Sequence, residues 1–173
     1  MILSIITQKL NKVYLAQNKL LDKGASIVAK MVKECRDIVL LDVSSNGITS
    51  VGFSEIFSSL YRNNTIISLN LSSSDRCHRN KLGTKGAKDL SNLLKTSLYL
   101  QYLNLSSTGL CNEGAKILFD SLKGNKYLIS LIIKSNEMTH AIAEDLTVTI
   151  IESSLEYLDI SHNNLGNSGI LKF

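Results

Sequence analysis

The chain has 173 residues, of which 44% are hydrophobic and 20% charged, with no proline and no tryptophan. That is the composition of one ordered globular domain, and it excludes collagen-like, proline-rich and disordered-linker readings. The net charge of +4 is dispersed among acidic residues rather than gathered into one basic run, so nucleic acid is not the expected partner.

The opening MILSII is too short for a signal core and has no basic residue ahead of it; no apolar run of about 20 residues follows. A soluble, intracellular (cytoplasmic) protein away from membranes is expected. Cys35, Cys77 and Cys111 are odd in number and widely spaced, which suits free thiols rather than a zinc site or a disulfide framework.

Residues 1–9 precede a repeat and are expected to form a remnant cap over it. The first copy, LNKVYLAQNKLLDKGA, opens at Leu10, and the second, IVLLDVSSNGITSVGF, at Ile38. The third opens at Ile66 with IISLNLSS, is interrupted, and resumes as NKLGTKGA from Asn80. LQYLNLSSTGLCNEGA from Leu100, LISLIIKSNEMTHAIA from Leu128 and LEYLDISHNNLGNSGI from Leu155 complete the series, the last as half a unit. The marker residues Val13, Leu41, Leu69, Leu103, Leu131 and Leu158 return at steps of 28, 28, 34, 28 and 27, so copy three holds six extra residues.

Each copy begins with period-two alternation, the pattern of a short strand of about four residues with alternate side chains in a core. An asparagine follows, at Asn18, Asn46, Asn80, Asn136 and Asn163, with Thr108 as the exception. Its amide both donates and accepts, so stacked asparagines can satisfy loop backbone groups that a sheet ladder does not reach. The period then becomes helical, with apolar stripes at Ala25, Val28 and Val32, at Ala87, Leu90, Leu93 and Leu94, and at Ala115, Leu118 and Leu122. Gly24, Gly52, Gly86, Gly114 and Gly169 open these helices; Ile142 stands there in copy five and predicts a distorted turn.

A strand, loop and helix of 28 residues cannot bury its apolar faces alone, whereas a stack of such units closes a core between a parallel sheet and a helix layer. The pattern resembles the leucine-rich repeat in its ribonuclease-inhibitor subclass, LxxLxLxxNxLxxxGAxxLxxxL, over nearly the whole chain from about Leu10 to Phe173. The resemblance implies an α/β solenoid: a curved horseshoe, strands concave and helices convex, in one domain spanning 1–173. It also implies binding through the concave face and adjoining loops, with no single activity attached. The sequence holds no phosphate loop, no paired catalytic carboxylates and no metal constellation, so the expectation is a non-enzymatic module without cofactor or metal that binds a protein partner through the concave face and the rim loop 74–81. A GTPase-activating protein similar to the Ran GTPase activator is the alternative.

Strand parity places three rows on the concave face: Lys12, Leu40, Ser68, Tyr102, Ser130 and Tyr157; then Tyr14, Asp42, Asn70, Asn104, Ile132 and Asp159; then a mostly serine row of Ala16, Ser44, Ser72, Ser106, Lys134 and Ser161. Tyr14, Tyr102 and Tyr157 are the expected aromatic anchors, with Asp42, Asn70, Asn104 and Asp159 as polar companions. The extra residues fall at about 74–79, just after strand three, with Ser74 and Asn80 both eligible for the asparagine position. Arg76, Arg79 and Lys81 exceed Asp75 in charge there, and with His78 they make a rim loop suited to an acidic patch or a phosphate. A solvated loop without a partner is the other reading. The adjacent Cys77 and His78 diverge in an extended loop and have no second pair nearby, so neither a zinc site nor a nucleophile is expected. His140 is expected to be solvent-exposed and His162 to lie among the polar residues of a strand exit. At the C-terminal end three expectations stand: a longer parent protein, a cap improvised by GILKF, or a homodimer through the bare last layer.

Overall fold

A computed structural model describes residues 10–74 and 78–170. The expected cap over residues 1–9, the tail from 171 to 173, and Asp75, Arg76 and Cys77 of the insert lie outside the described residues.

The central residue of each strand turns inward and its two neighbours outward, as the alternation predicts. Strands β1 (Lys12–Tyr14), β2 (Leu40–Asp42), β3 (Ser68–Asn70), β4 (Tyr102–Asn104), β5 (Ser130–Ile132) and β6 (Tyr157–Asp159) form one parallel sheet in sequence order. The six marker residues pair directly, Val13 with Leu41, then Leu69, Leu103, Leu131 and Leu158. Between the strands run α1 (Leu21–Glu34), α2 (Ser50–Leu60), α3 (Gly83–Thr96), α4 (Cys111–Leu122) and α5 (Ala143–Glu152), with a short α6 (Gly166–Ile170) after β6. The helices stack in chain order on one face of the sheet. Neighbouring strands stand about 4.8 Å apart and packed helices about 8–10 Å, so the sheet takes the inside of the curve.

One continuous core fills the space between the layers. Leu41, Leu69, Leu103 and Leu131 enter it from the strands, Ile48, Leu82, Leu110 and Met138 from the loops, and the predicted stripes from the helices. Phe53 and Phe57 of α2 stack within it, their ring centroids 5.9 Å apart. Gly52 shows why the helix starts need glycine: a β-carbon there would sit 2.6 Å from the Asp22 carboxylate and 2.8 Å from the Ala25 methyl. The distortion expected at Ile142 is a 3₁₀ turn, His140–Ile142, ahead of α5.

Asparagines bind the repeats between strand and helix. The Asn46 side-chain oxygen accepts from the N–H groups of Asn18 and Leu20, while its amide donates to Leu15, Val43 and Ser44 carbonyls. Asn80 accepts from Asn46 and Ile48 and donates to Val43 and Leu71; Asn136 and Asn163 repeat the pattern. At Thr108 the ladder is repaired. Its hydroxyl donates to the Leu105 carbonyl, its backbone carbonyl accepts the Leu82 N–H, and the Asn80 N–H turns to Ser73 Oγ at 2.7 Å.

The same repair closes the neck of the insert. Asn80, not Ser74, holds the ladder position; Ser74 N–H instead donates to Ser45 Oγ at 2.8 Å, and Gly47 N–H to the His78 carbonyl at 2.9 Å. β3 keeps its register with both neighbours on either side of the six extra residues.

Asn80→Ala orphans buried N–H and C=O groups on copies two and three at about 1–3 kcal/mol each, so a loss of about 3 kcal/mol or more is expected. Among the described residues, Asn18→Ala removes only the exposed bonds to the Leu15 and Ala16 carbonyls, and a loss of about 1 kcal/mol or less is expected. Urea unfolding of the two variants beside the parent protein measures the difference.

Candidate functional site

Because strands are only three residues long, two outward positions per strand pave the concave face. A groove of about 260 Å³ crosses β1 to β5 there, walled by Tyr14 and Tyr102 and lined by Leu40, Asp42, Asn104 and Ile132, among others. Tyr14 is 65% exposed and Tyr102 46%, and neither hydroxyl has a hydrogen-bond partner among the described residues. Tyr157 is also exposed, at 52%, but lies beyond the groove on β6, two strands from Tyr102.

The polar residues of the second row are partly engaged by their own strand ends. Asp42, Asn70, Asn104 and Asp159 each accept the backbone N–H two residues on, at Ser44, Ser72, Ser106 and Ser161. The remaining Asp42 oxygen takes the Asn70 amide at 2.9 Å. The Asn104 amide has no partner among the described residues, which leaves it as a donor beside Tyr102. Lys134 lies 2.9 Å from Asp159. Burial pushes the Asp159 carboxyl up, but hydrogen bonds from Lys134 and Ser161 outweigh it and hold the group at about 2, below its ordinary 3.8.

The rim is a second surface. Arg79, Lys81 and Lys85 meet Glu137 in a groove of about 520 Å³ at the start of α3, which shares no lining residue with the concave groove. His78 is exposed beside the Gly47 turn, its carbonyl taken by Gly47. His140 and His162 are both exposed. Among the described residues no three His, Cys, Asp or Glu side chains gather as metal ligands. Cys35 and Cys111 are free; burial first, and then nearby carboxylates, push both thiols above their ordinary range, the reverse of what a nucleophile needs.

A family model described as Leucine Rich repeat matches residues 34–57 and 153–173. Ribonuclease inhibitor of Sus scrofa is 31% identical over 133 residues, 75% of this chain and 28% of that protein. The chain is a leucine-rich repeat protein of the ribonuclease-inhibitor-like type. NACHT, LRR and PYD domains-containing protein 2 of Homo sapiens is 34% identical over 84 residues, 47% of this chain and 8% of that one. The leucine-rich repeat chain thus spans well under two thirds of the length of either relative. Among solved structures, actin-binding site 2 of leiomodin-1 matches with a TM-score of 0.64 over 85% of this chain and 84% of its own, at 16% identity, a likeness of fold.

Two kinds of lining and supporting residue escaped sequence reasoning. Leu40 and Ile132 line the concave groove, whereas strand parity alone gave them no role beyond outward positions. Asp22 and Asn112 each cap the next repeat: Asp22 accepts from the Thr49 N–H and hydroxyl and the Gly52 N–H, and Asn112 exchanges two bonds with Thr139. The signal was present, since threonine occurs at that helix-start position only in copies two and five.

The depressed Asp159 carboxyl gives this leucine-rich repeat protein a component of stability that is full above pH 3.8 and is lost as pH falls towards 2. Asp159→Asn is expected to flatten that part of the profile, read as a smaller difference between the urea midpoints at pH 5 and pH 2.5 than the parent protein shows.

Proposed function

We propose that this leucine-rich repeat protein is a non-enzymatic recognition module that binds a protein partner in the concave groove between Tyr14 and Tyr102. The carrying observation is that pair of exposed tyrosines, their hydroxyls without a partner among the described residues, on either side of a groove lined by Leu40, Asn104 and Ile132. Large, rigid aromatics with a polar tip beside an apolar floor are what binding hot spots are made of. Asp42, Asn70, Tyr157 and Asp159 extend the contact surface across the sheet.

The rim loop supplies the second part of the reading. Arg79 and His78, with Arg76 next to them in sequence, would meet an acidic feature of the same partner, and Lys81 and Lys85 reinforce that charge. A reducing cell interior suits free Cys35 and Cys111, and no described helix is long and apolar enough to cross a membrane.

Affinity capture followed by cross-linking and mass spectrometry identifies the partner and the residues it touches. Tyr14→Ala with Tyr102→Ala is expected to weaken that partner by roughly tenfold or more, and Tyr157→Ala by less. Deleting residues 74–79 restores a regular repeat and is expected to weaken the same partner with an unchanged circular dichroism spectrum. A partner indifferent to the tyrosine pair, with no cross-links on the concave strands, would sink the reading.

A further inference from the structure

The convex side carries a groove that neither the concave surface nor the rim uses. It runs along the seam between α1 and α2, holds about 560 Å³, and is lined by Lys30, Lys33, Glu55 and Arg62 over a floor of small residues that includes Ser26 and Ser58. Three cations therefore face one carboxylate, and among the described residues none of the three forms an ion pair. Arg36 donates to the Arg62 backbone carbonyl and brings a fourth cation to the Arg62 end of the seam.

Comparison of equivalent positions shows how this charge arises. In the α3/α4 seam Lys95 lies 3.8 Å from Asp120, and in the α4/α5 seam Lys116 lies 3.6 Å from Asp145. Lys33 holds in its repeat the place of Lys95, but the place of Asp120 is taken by Ser58, 17 residues after the strand leucine in both copies. Glu55 likewise matches Asp145, and its partner position, that of Lys116, is Ser26. Each cross-seam pair is thus halved in the α1/α2 seam, where Lys30 and Arg62 add two more positive charges.

The floor narrows the chemistry. Ser58 and Ser59 donate their hydroxyl hydrogens to the carbonyls of Ser54 and Ile56, so they present lone pairs to a ligand. Lone pairs repel a phosphate but accept from peptide N–H groups. Lysine ammoniums along the wall suit several separate carboxylates, since each is a point charge without a fixed fork.

We propose that the α1/α2 groove docks a carboxylate-rich, Asp/Glu-containing segment of a partner protein, with peptide N–H groups over the serine floor and carboxylates on Lys30, Lys33 and Arg62.

Fluorescence anisotropy with a labelled peptide of alternating glutamate and serine tests this on the full chain, beside a peptide with glutamine in place of glutamate. The glutamate peptide is expected to bind, to weaken as salt rises, and to lose about tenfold or more in affinity with K33E/R62E. Ser58→Asp, at an exposed position, replaces the missing acid and is expected to weaken binding several-fold without altering the circular dichroism spectrum. Amide NMR shifts are expected at Ser26, Ala29, Ser54 and Ser58, and K81E/K85E on the rim is expected to leave affinity unchanged. Failure of the parent protein to bind, equal affinity for the glutamine peptide, equal affinity of the variants, or shifts confined to the rim or concave strands would each overturn the proposal. Binding of a phosphoserine version alone would overturn it too, and would give the groove to phosphate.

Discussion

The strand-to-helix turn is the point on which this solenoid depends. Three-residue strands leave a loop whose N–H and C=O groups no sheet ladder reaches, yet the loop is buried between neighbouring repeats. Buried, unpaired backbone groups are costly, so each loop must be satisfied from within. An asparagine meets both needs at once, accepting two N–H groups from the preceding repeat while donating to carbonyls of its own and that repeat. Among the described residues no buried side-chain polar atom is left unpartnered.

That constraint fixes much else. The residue ahead of the asparagine, or of Thr108 in its place, takes a left-handed backbone at Gln17, Ser45, Ser107, Ser135 and His162, a conformation these side chains adopt at some cost and keep because the ladder demands it. The loop leucine, isoleucine or methionine that follows drops into the core at Ile48, Leu82, Leu110 and Met138. With the turn fixed, residues flanking the strand core face outward at fixed spacing, which sets Tyr14 and Tyr102 on either side of one groove. The six extra residues of copy three are tolerated because Ser73 and Asn80 close their neck before the ladder resumes.

The proposed recognition surfaces of this scaffold are departures from the repeat. Where successive copies keep the same charge pattern, as at Lys95 with Asp120, the seam neutralises itself and offers little. Where serine replaces one partner, as at Ser58, a cation is left without an ion pair among the described residues. The concave tyrosines, the rim cations and the α1/α2 groove are all departures from the repeat, on separate parts of its surface.

The sequence by itself determined the repeat length, the strand register, the asparagine ladder, the helix stripes and the parity of the outward rows. All are local periodicities, and a parallel stack copies each local choice into space with a constant offset. It also exposed the irregular start of copy five, since Ile142 could not take the glycine's place. The tertiary structure alone decided which of two residues, Ser74 or Asn80, carries the ladder in copy three, because that turns on hydrogen bonds to Asn46 and Ile48 one repeat away. It also decided that Tyr14 shares a groove with Tyr102 and not with Tyr157, that Asp22 and Asn112 serve the following repeat, and that Lys33 faces Ser58. Each of these is a meeting of side chains from different copies, set by helix rotation and rotamer packing, which a pattern within one copy does not encode.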